Sequence, residues 1–113
     1  MNKQVEILEK PLSGEDSTKN DTLISIMADK YCRAIIHATK DKPKSAVELA
    51  AETKIPISTV YRRLQILHDN KLVHTSGMIT GEGKKLFLYK SKIRGIISTF
   101  ENGQTDVQLI LNQ

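Results

Sequence analysis

Only four residues, Lys54-Ile55-Pro56-Ile57, separate two stretches that each carry the marks of a short helix, and this tight spacing constrains the fold most. The upstream stretch opens with Ser45-Ala46-Val47-Glu48. That is a capping box, in which the Ser hydroxyl and the Glu carboxylate satisfy free amides of a first turn reciprocally. Val47, Leu49 and Ala50 continue it, and Ala51-Glu52-Thr53 complete two to three turns. Pro56 then biases Ile55 away from helical angles, so the connection is a tight turn. The downstream helix starts at Ser58 or one residue earlier and ends at Asp69-Asn70, where Asn70 suits a left-handed C-terminal cap. Ile57, Val60, Leu64 and Leu67 recur at steps of three, four and three, which makes one inward stripe. Ser58, Thr59, Arg62 and Arg63 are left outside it, with Tyr61 and Gln65 at its margins.

An earlier helix is predicted from Asp21 or Thr22, either of which can cap it. Leu23, Met27, Tyr31 (or the stem of Lys30), Ala34, Ile35 and Ala38 form its buried stripe. The polar run Thr39-Lys40-Asp41-Lys42-Pro43-Lys44 ends it. Residues 1–20 read as a flexible leader by composition, within which Val5-Glu6-Ile7-Leu8 could add a short edge strand.

Beyond Lys71 the hydrophobic period changes. Leu72-Val73-His74-Thr75 and Leu86-Phe87-Leu88-Tyr89 read as two strands, joined through Ser76-Gly77 and a Gly81-Glu82-Gly83 tip that is followed by Lys84 and Lys85. Further on, two alternating runs flank Asn102-Gly103, the dipeptide suited to a two-residue hairpin turn. Residues 95–111 therefore read as a second hairpin, although Ile96 and Phe100 also fit a helical step.

Charge is unevenly placed along the 113 residues. Residues 54–94 carry nine bases and two acids, a local balance of +7 within a chain of net +4, while residues 1–22 and 95–113 are each net acidic. A basic segment between acidic ends suits a polyanion-binding surface, although a solvated basic face has the same signature. No apolar run approaches the roughly 18–20 residues of a membrane helix, and no apolar signal segment is seen at the start. The single cysteine, Cys32, rules out an internal disulfide and fits a reducing cytoplasm.

Two short helices joined by a tight turn, the second carrying basic and hydroxyl side chains outward, form a helix-turn-helix. The expected fold class is α+β, a winged helix-turn-helix of three helices plus a β-hairpin wing over residues 21–94, with a second hairpin over 95–113. Arg62 and Arg63 are the candidates for base or phosphate contact, because an Arg fork can pair with guanine acceptors in the major groove. Ser58 and Thr59 at the helix start suit phosphate oxygens, and Tyr61, Lys44 and Ser45 complete the expected contact face. Lys84 and Lys85 would bring the wing, about residues 76–86, to the backbone or minor groove and add salt-dependent affinity.

Met27-Ala28-Asp29-Lys30-Tyr31-Cys32-Arg33-Ala34-Ile35-Ile36 resembles the opening helix of ArsR-like and archaeal winged-helix regulators. Ser45–Ala50, Ile55–Leu64 and Leu67–Val73 resemble that family's second helix, recognition helix and entry to the wing, so the likeness covers residues 23–90. It implies sequence-specific binding of double-stranded DNA, usually as a homodimer on a two-fold-related operator. The chain departs from metal-sensing members: Cys32, His37, His68 and His74 form no pair at ligand spacing, so neither metal nor cofactor is implied. The alternative is a winged helix that binds protein and reads no DNA, since fold does not fix function. Catalysis is disfavoured, because Gly81-Glu82-Gly83-Lys84 lacks the frame of a phosphate loop and no nucleophile–base set is present. The apolar second hairpin is the expected place for two copies to meet. The operator, the sign of regulation and any small-molecule effector cannot be read from these residues.

Overall fold

The computed structural model describes residues 17–112. In chain order these form helices α1 (Ser17–Ala28), α2 (Lys30–Ala38), α3 (Ala46–Thr53) and α4 (Ile57–Asp69). Strands β1 (Val73–Ile79), β2 (Lys85–Ser91), β3 (Ile93–Glu101) and β4 (Gln104–Leu111) follow. The strands make two antiparallel hairpins, β1–β2 and β3–β4.

The single opening helix expected from the sequence is two helices. Asp29 takes an extended conformation between them and caps α2, its carboxylate accepting from the Cys32 amide at 2.8 Å. A carboxylate that can satisfy a free amide of the next helix offers the backbone an alternative to helix continuation, and here it prevails. The first helix also begins earlier than expected, at Ser17. Asn20, read from composition as leader, is buried and donates to the Thr105 carbonyl of β4 at 3.0 Å. The possible strand at Val5–Leu8 lies outside the described residues.

The capping box on α3 is present as read, with both reciprocal hydrogen bonds made at Ser45 and Glu48. The turn that follows places Lys54 in the left-handed region at φ 64° and buries Ile55. Val60, Leu64 and Leu67 of α4 are buried, but Ile57 is 41% exposed and does not join their stripe. It stands in the first turn of α4, ahead of the core contacts that Val60 begins. The left-handed residue closing α4 is Lys71, not Asn70. Lys71 donates to His68 and Leu72 to Leu67, the paired bonds of a Schellman ending, which shift the left-handed position one residue past the cap.

One core joins everything. Leu23 and Ile26 of α1, Ile35 of α2, Leu49 of α3 and the α4 stripe share it with Ile93, Val107 and Leu109 of the second hairpin. The Asn102-Gly103 turn has both residues at positive φ (55° and 75°), the geometry that matches the twist of the flanking strands. The β3–β4 hairpin is thus confirmed over the helical alternative, and it packs onto α1 as part of the domain's own core.

Candidate nucleic-acid interface

α4 is fixed from three sides. Its inner stripe sits in the core, the Lys54–Pro56 turn sets its approach to α3, and β1 leaves directly from its Schellman ending. The wing is fastened to the same frame by main-chain bonds between Lys44 and Tyr89, at 3.0 and 2.8 Å. Lys44 directly precedes α3, so these bonds tie β2 of the wing to the start of the helix-turn-helix.

The outer face of α4 carries Ser58, Arg62 and Gln65, all exposed. Arg62 makes no ion pair among the described residues, which leaves its five donors available. Gln65 donates to Asp69 one turn later at 2.8 Å. Thr59 is half-buried, and Tyr61, 54% exposed, turns to the wing side, where it lines a groove with Phe87 and Tyr89. No side chain caps the first turn of α4, whose cap residue is Pro56. Free amides in such a turn suit anionic oxygens.

Three of the expected contact residues are committed elsewhere. Arg63 is held by Asp29, its Nε 2.9 Å from Oδ2 and an Nη 3.4 Å from Oδ1, and its guanidinium stacks over the Tyr31 ring at 5.3 Å. It faces the α1–α2 junction, not the outside. Successive residues of a helix stand about 100° apart, so Arg62 and Arg63 cannot share one face. Lys44 pairs with Glu52 at 2.8 Å, and its side chain is only 13% exposed. Ser45 is buried in its capping box. At the wing tip Thr80 and Lys84 close the turn by two hydrogen bonds, with Gly83 at φ 81°. Lys84 and Lys85 are exposed there, Lys85 lying over the Phe87 ring at 5.0 Å.

Burial and bonding also perturb titration at the α1–α2 junction. The guanidinium of Arg63, helped by the Cys32 amide, holds the Asp29 carboxyl below its ordinary range. Burial pushes the Cys32 thiol up to about 12, with the neighbouring Asp29 charge adding to the effect. Among the described residues no group of three or more His, Cys, Asp or Glu could hold a metal ion. Nor is any described helix long and apolar enough to cross a membrane.

Sequence reasoning missed two features of this surface. Asp29 stands between the stripe residues Met27 and Tyr31, and nothing in the stripe's spacing marks it as a cap. The exposed apolar set Val47, Ile57, Tyr61, Met78, Ile79 and Phe87 becomes visible only once the fold decides which side chains the core accepts.

Helices, turn and hairpin together define a winged helix-turn-helix fold. A family model described as a helix-turn-helix domain matches residues 27–76. Solved structures share the fold at low identity. Reduced HlyU from Vibrio cholerae superposes with a TM-score of 0.56 at 22% identity, covering 68% of this chain and 76% of that one. NolR from Sinorhizobium fredii gives 0.54 at 21%, covering 74% and 81%. A Methanosarcina mazei protein described as a "possible transcriptional regulator" gives 0.52 at 15%, covering 78% and 75%. No curated protein sequence matches the chain.

Proposed function

We propose that this protein is a double-stranded-DNA-binding transcription regulator of the ArsR-like winged-helix kind, acting as a homodimer without a metal. The observation that carries this reading is the outer face of α4, where exposed Ser58 and Arg62, the latter without an ion pair among the described residues, stand beside a wing tipped by Lys84 and Lys85. An α-helix fits the major groove, and Arg62 would reach base edges there while Ser58 and the open first turn take phosphate. Lys84 and Lys85 would meet the backbone or minor groove alongside. The regulator description of the archaeal neighbour and the helix-turn-helix match support the same reading. Arg63, Lys44 and Ser45 act in this account as supports that hold α4 and the wing in place.

The test is a duplex-binding titration across salt concentrations, for wild type, Arg62→Ala and Lys84→Ala/Lys85→Ala. Wild-type affinity should fall as salt rises, and each phosphate that a variant no longer neutralises should flatten the log–log slope by about 0.9. Arg62→Ala should cost about 1–3 kcal/mol if it reads a base. Salt-independent binding, or none, would sink the assignment.

The exposed apolar side chains on α3, α4 and the wing favour a second reading, a module that docks on protein. The same titration separates the two. Such a module would show no duplex binding that Arg62→Ala weakens.

A further inference from the structure

Between α4 and the wing lies a groove of about 290 Å³. The whole sequence carries three tyrosines, two phenylalanines and no tryptophan, and three of these five rings, Tyr61, Phe87 and Tyr89, line it. Tyr61 is 54% and Phe87 45% exposed, so both leave much of a ring in water. The hairpin register keeps Phe87 so. Side chains directly opposite each other share one face of an antiparallel pair, and the residue opposite Phe87 is Gly77, which has none to lay over the ring. A Cβ on Gly77 would stand 3.9 Å from that ring, an ordinary contact distance.

Size and charge narrow what such a groove can hold. It is too small to seat a helix roughly 10 Å across, whereas a flat ring gains from stacking on the rings already there. No acidic side chain lines it. Lys84 and Lys85 are exposed on the wing, and Lys85 lies over the Phe87 ring at 5.0 Å, where phosphates next to a stacked base would meet its ammonium. The carboxylate of Asp69 adjoins the other end of the groove. It is engaged by two lining residues, accepting from the Gln65 amide at 2.8 Å and standing 3.8 Å from His68 Nδ1.

We infer that this groove seats an unpaired base of a DNA single strand, stacked on Tyr61 and Phe87, while Lys84 and Lys85 take the phosphates of the strand. Aromatic rings beside a basic track are what single-strand binding requires, and stacking tolerates any sequence because every base has a π face. A duplex keeps its bases stacked on one another and gives these rings nothing to cover them. The inference rests on the reading of this face as a DNA surface and adds to it a capacity for single strands.

The test is a fluorescence-anisotropy titration of the full chain, at low salt, with a labelled oligothymidylate of about 12 nucleotides, which cannot pair with itself. Saturable binding is expected, and Tyr61→Ala should weaken it about tenfold by removing one stacking ring. Gly77→Val keeps every ring but lays a side chain over Phe87. It should weaken the single strand to a similar degree without lowering the melting temperature, since a β-branched residue suits a strand interior better than glycine. Absence of saturable binding, or binding undiminished in both variants, would overturn the inference and leave the exposed rings to the protein-docking reading. If duplex binding that depends on Arg62 persists in that event, only the single-strand inference falls; if the duplex is not bound either, the reading of the face as a DNA surface falls with it.

Discussion

Asp29 holds three things at once: its Oδ2 accepts from the Cys32 amide and from Arg63 Nε, and its Oδ1 takes the second arm of the fork. Removing the side chain should therefore cost more than a cap. We predict that Asp29→Ala loses about 2–3 kcal/mol by chemical denaturation, about 1 for the cap and the rest for the broken charge-assisted bonds. Asp29→Asn can still cap α2 and should lose only about half as much. The pH dependence follows from the lowered pKa of Asp29. Its stabilisation is fully present above the ordinary carboxyl value of 3.8 and fades as pH falls through the lower folded value. The wild type should accordingly lose its advantage over Asp29→Asn only in that acid window, and a gap that persisted below it would show that the charge is not the cause. Cys32, buried beside this pair with its thiol pushed up to about 12, should react with a disulfide reagent in denaturant and hardly at all in the native protein at neutral pH. Rapid native labelling would mean that the α1–α2 junction opens readily.

At the scale of elements, what was legible from sequence followed local chemistry, and what was not followed tertiary choice. The capping box, the Pro56 turn and the Asn102-Gly103 hairpin depend on residues within a few positions of one another, and all three are present. The break at Asp29 was hidden because the apolar stripe keeps its helical step across the break, from Leu23 and Met27 to Tyr31 and Ile35. Arg63 read as outward because a cation on a helix reads as exposed, and its ion pair with Asp29, 34 positions away at the α1–α2 junction, appears only in the fold. Ile57 fitted the stripe by spacing, yet a helix's first turn can project beyond the core that its later turns bury. Of the candidate site, the outward position of Ser58 and Arg62 and the basic wing tip were legible, whereas the commitment of Lys44, Ser45 and Arg63 was not. The second hairpin yields a quantitative check. Gly103 has φ +75°, so Gly103→Val should destabilise the fold by about 1–2 kcal/mol, although open space surrounds the position. An unchanged denaturation midpoint would mean that the turn relaxes to another type at little cost.

For the whole molecule, the proposed homodimer is best tested at the second hairpin. Its inner residues Val107 and Leu109 are spent on the core, so the full apolar content of residues 95–111 cannot be assigned to a partner. What remains exposed is Ile97, at 37%, and Phe100, 74% exposed and cross-strand from Thr105, whose carbonyl Asn20 ties to α1. A large aromatic left in water on a rigid strand, next to the first helix, is the kind of side chain that anchors an interface. In a two-fold dimer such a patch meets its own copy, and the two α4 helices would then address half-sites about one helical turn apart on one side of the duplex. We predict that the wild type sediments as a dimer at micromolar concentration and that Phe100→Lys sediments as a monomer of unchanged thermal stability, because the side chain lies outside the core. The variant should bind a single half-site as the wild type does and lose only the added affinity for the paired site. A monomeric wild type, or a Phe100→Lys variant that remains dimeric, would exclude dimerisation through this hairpin.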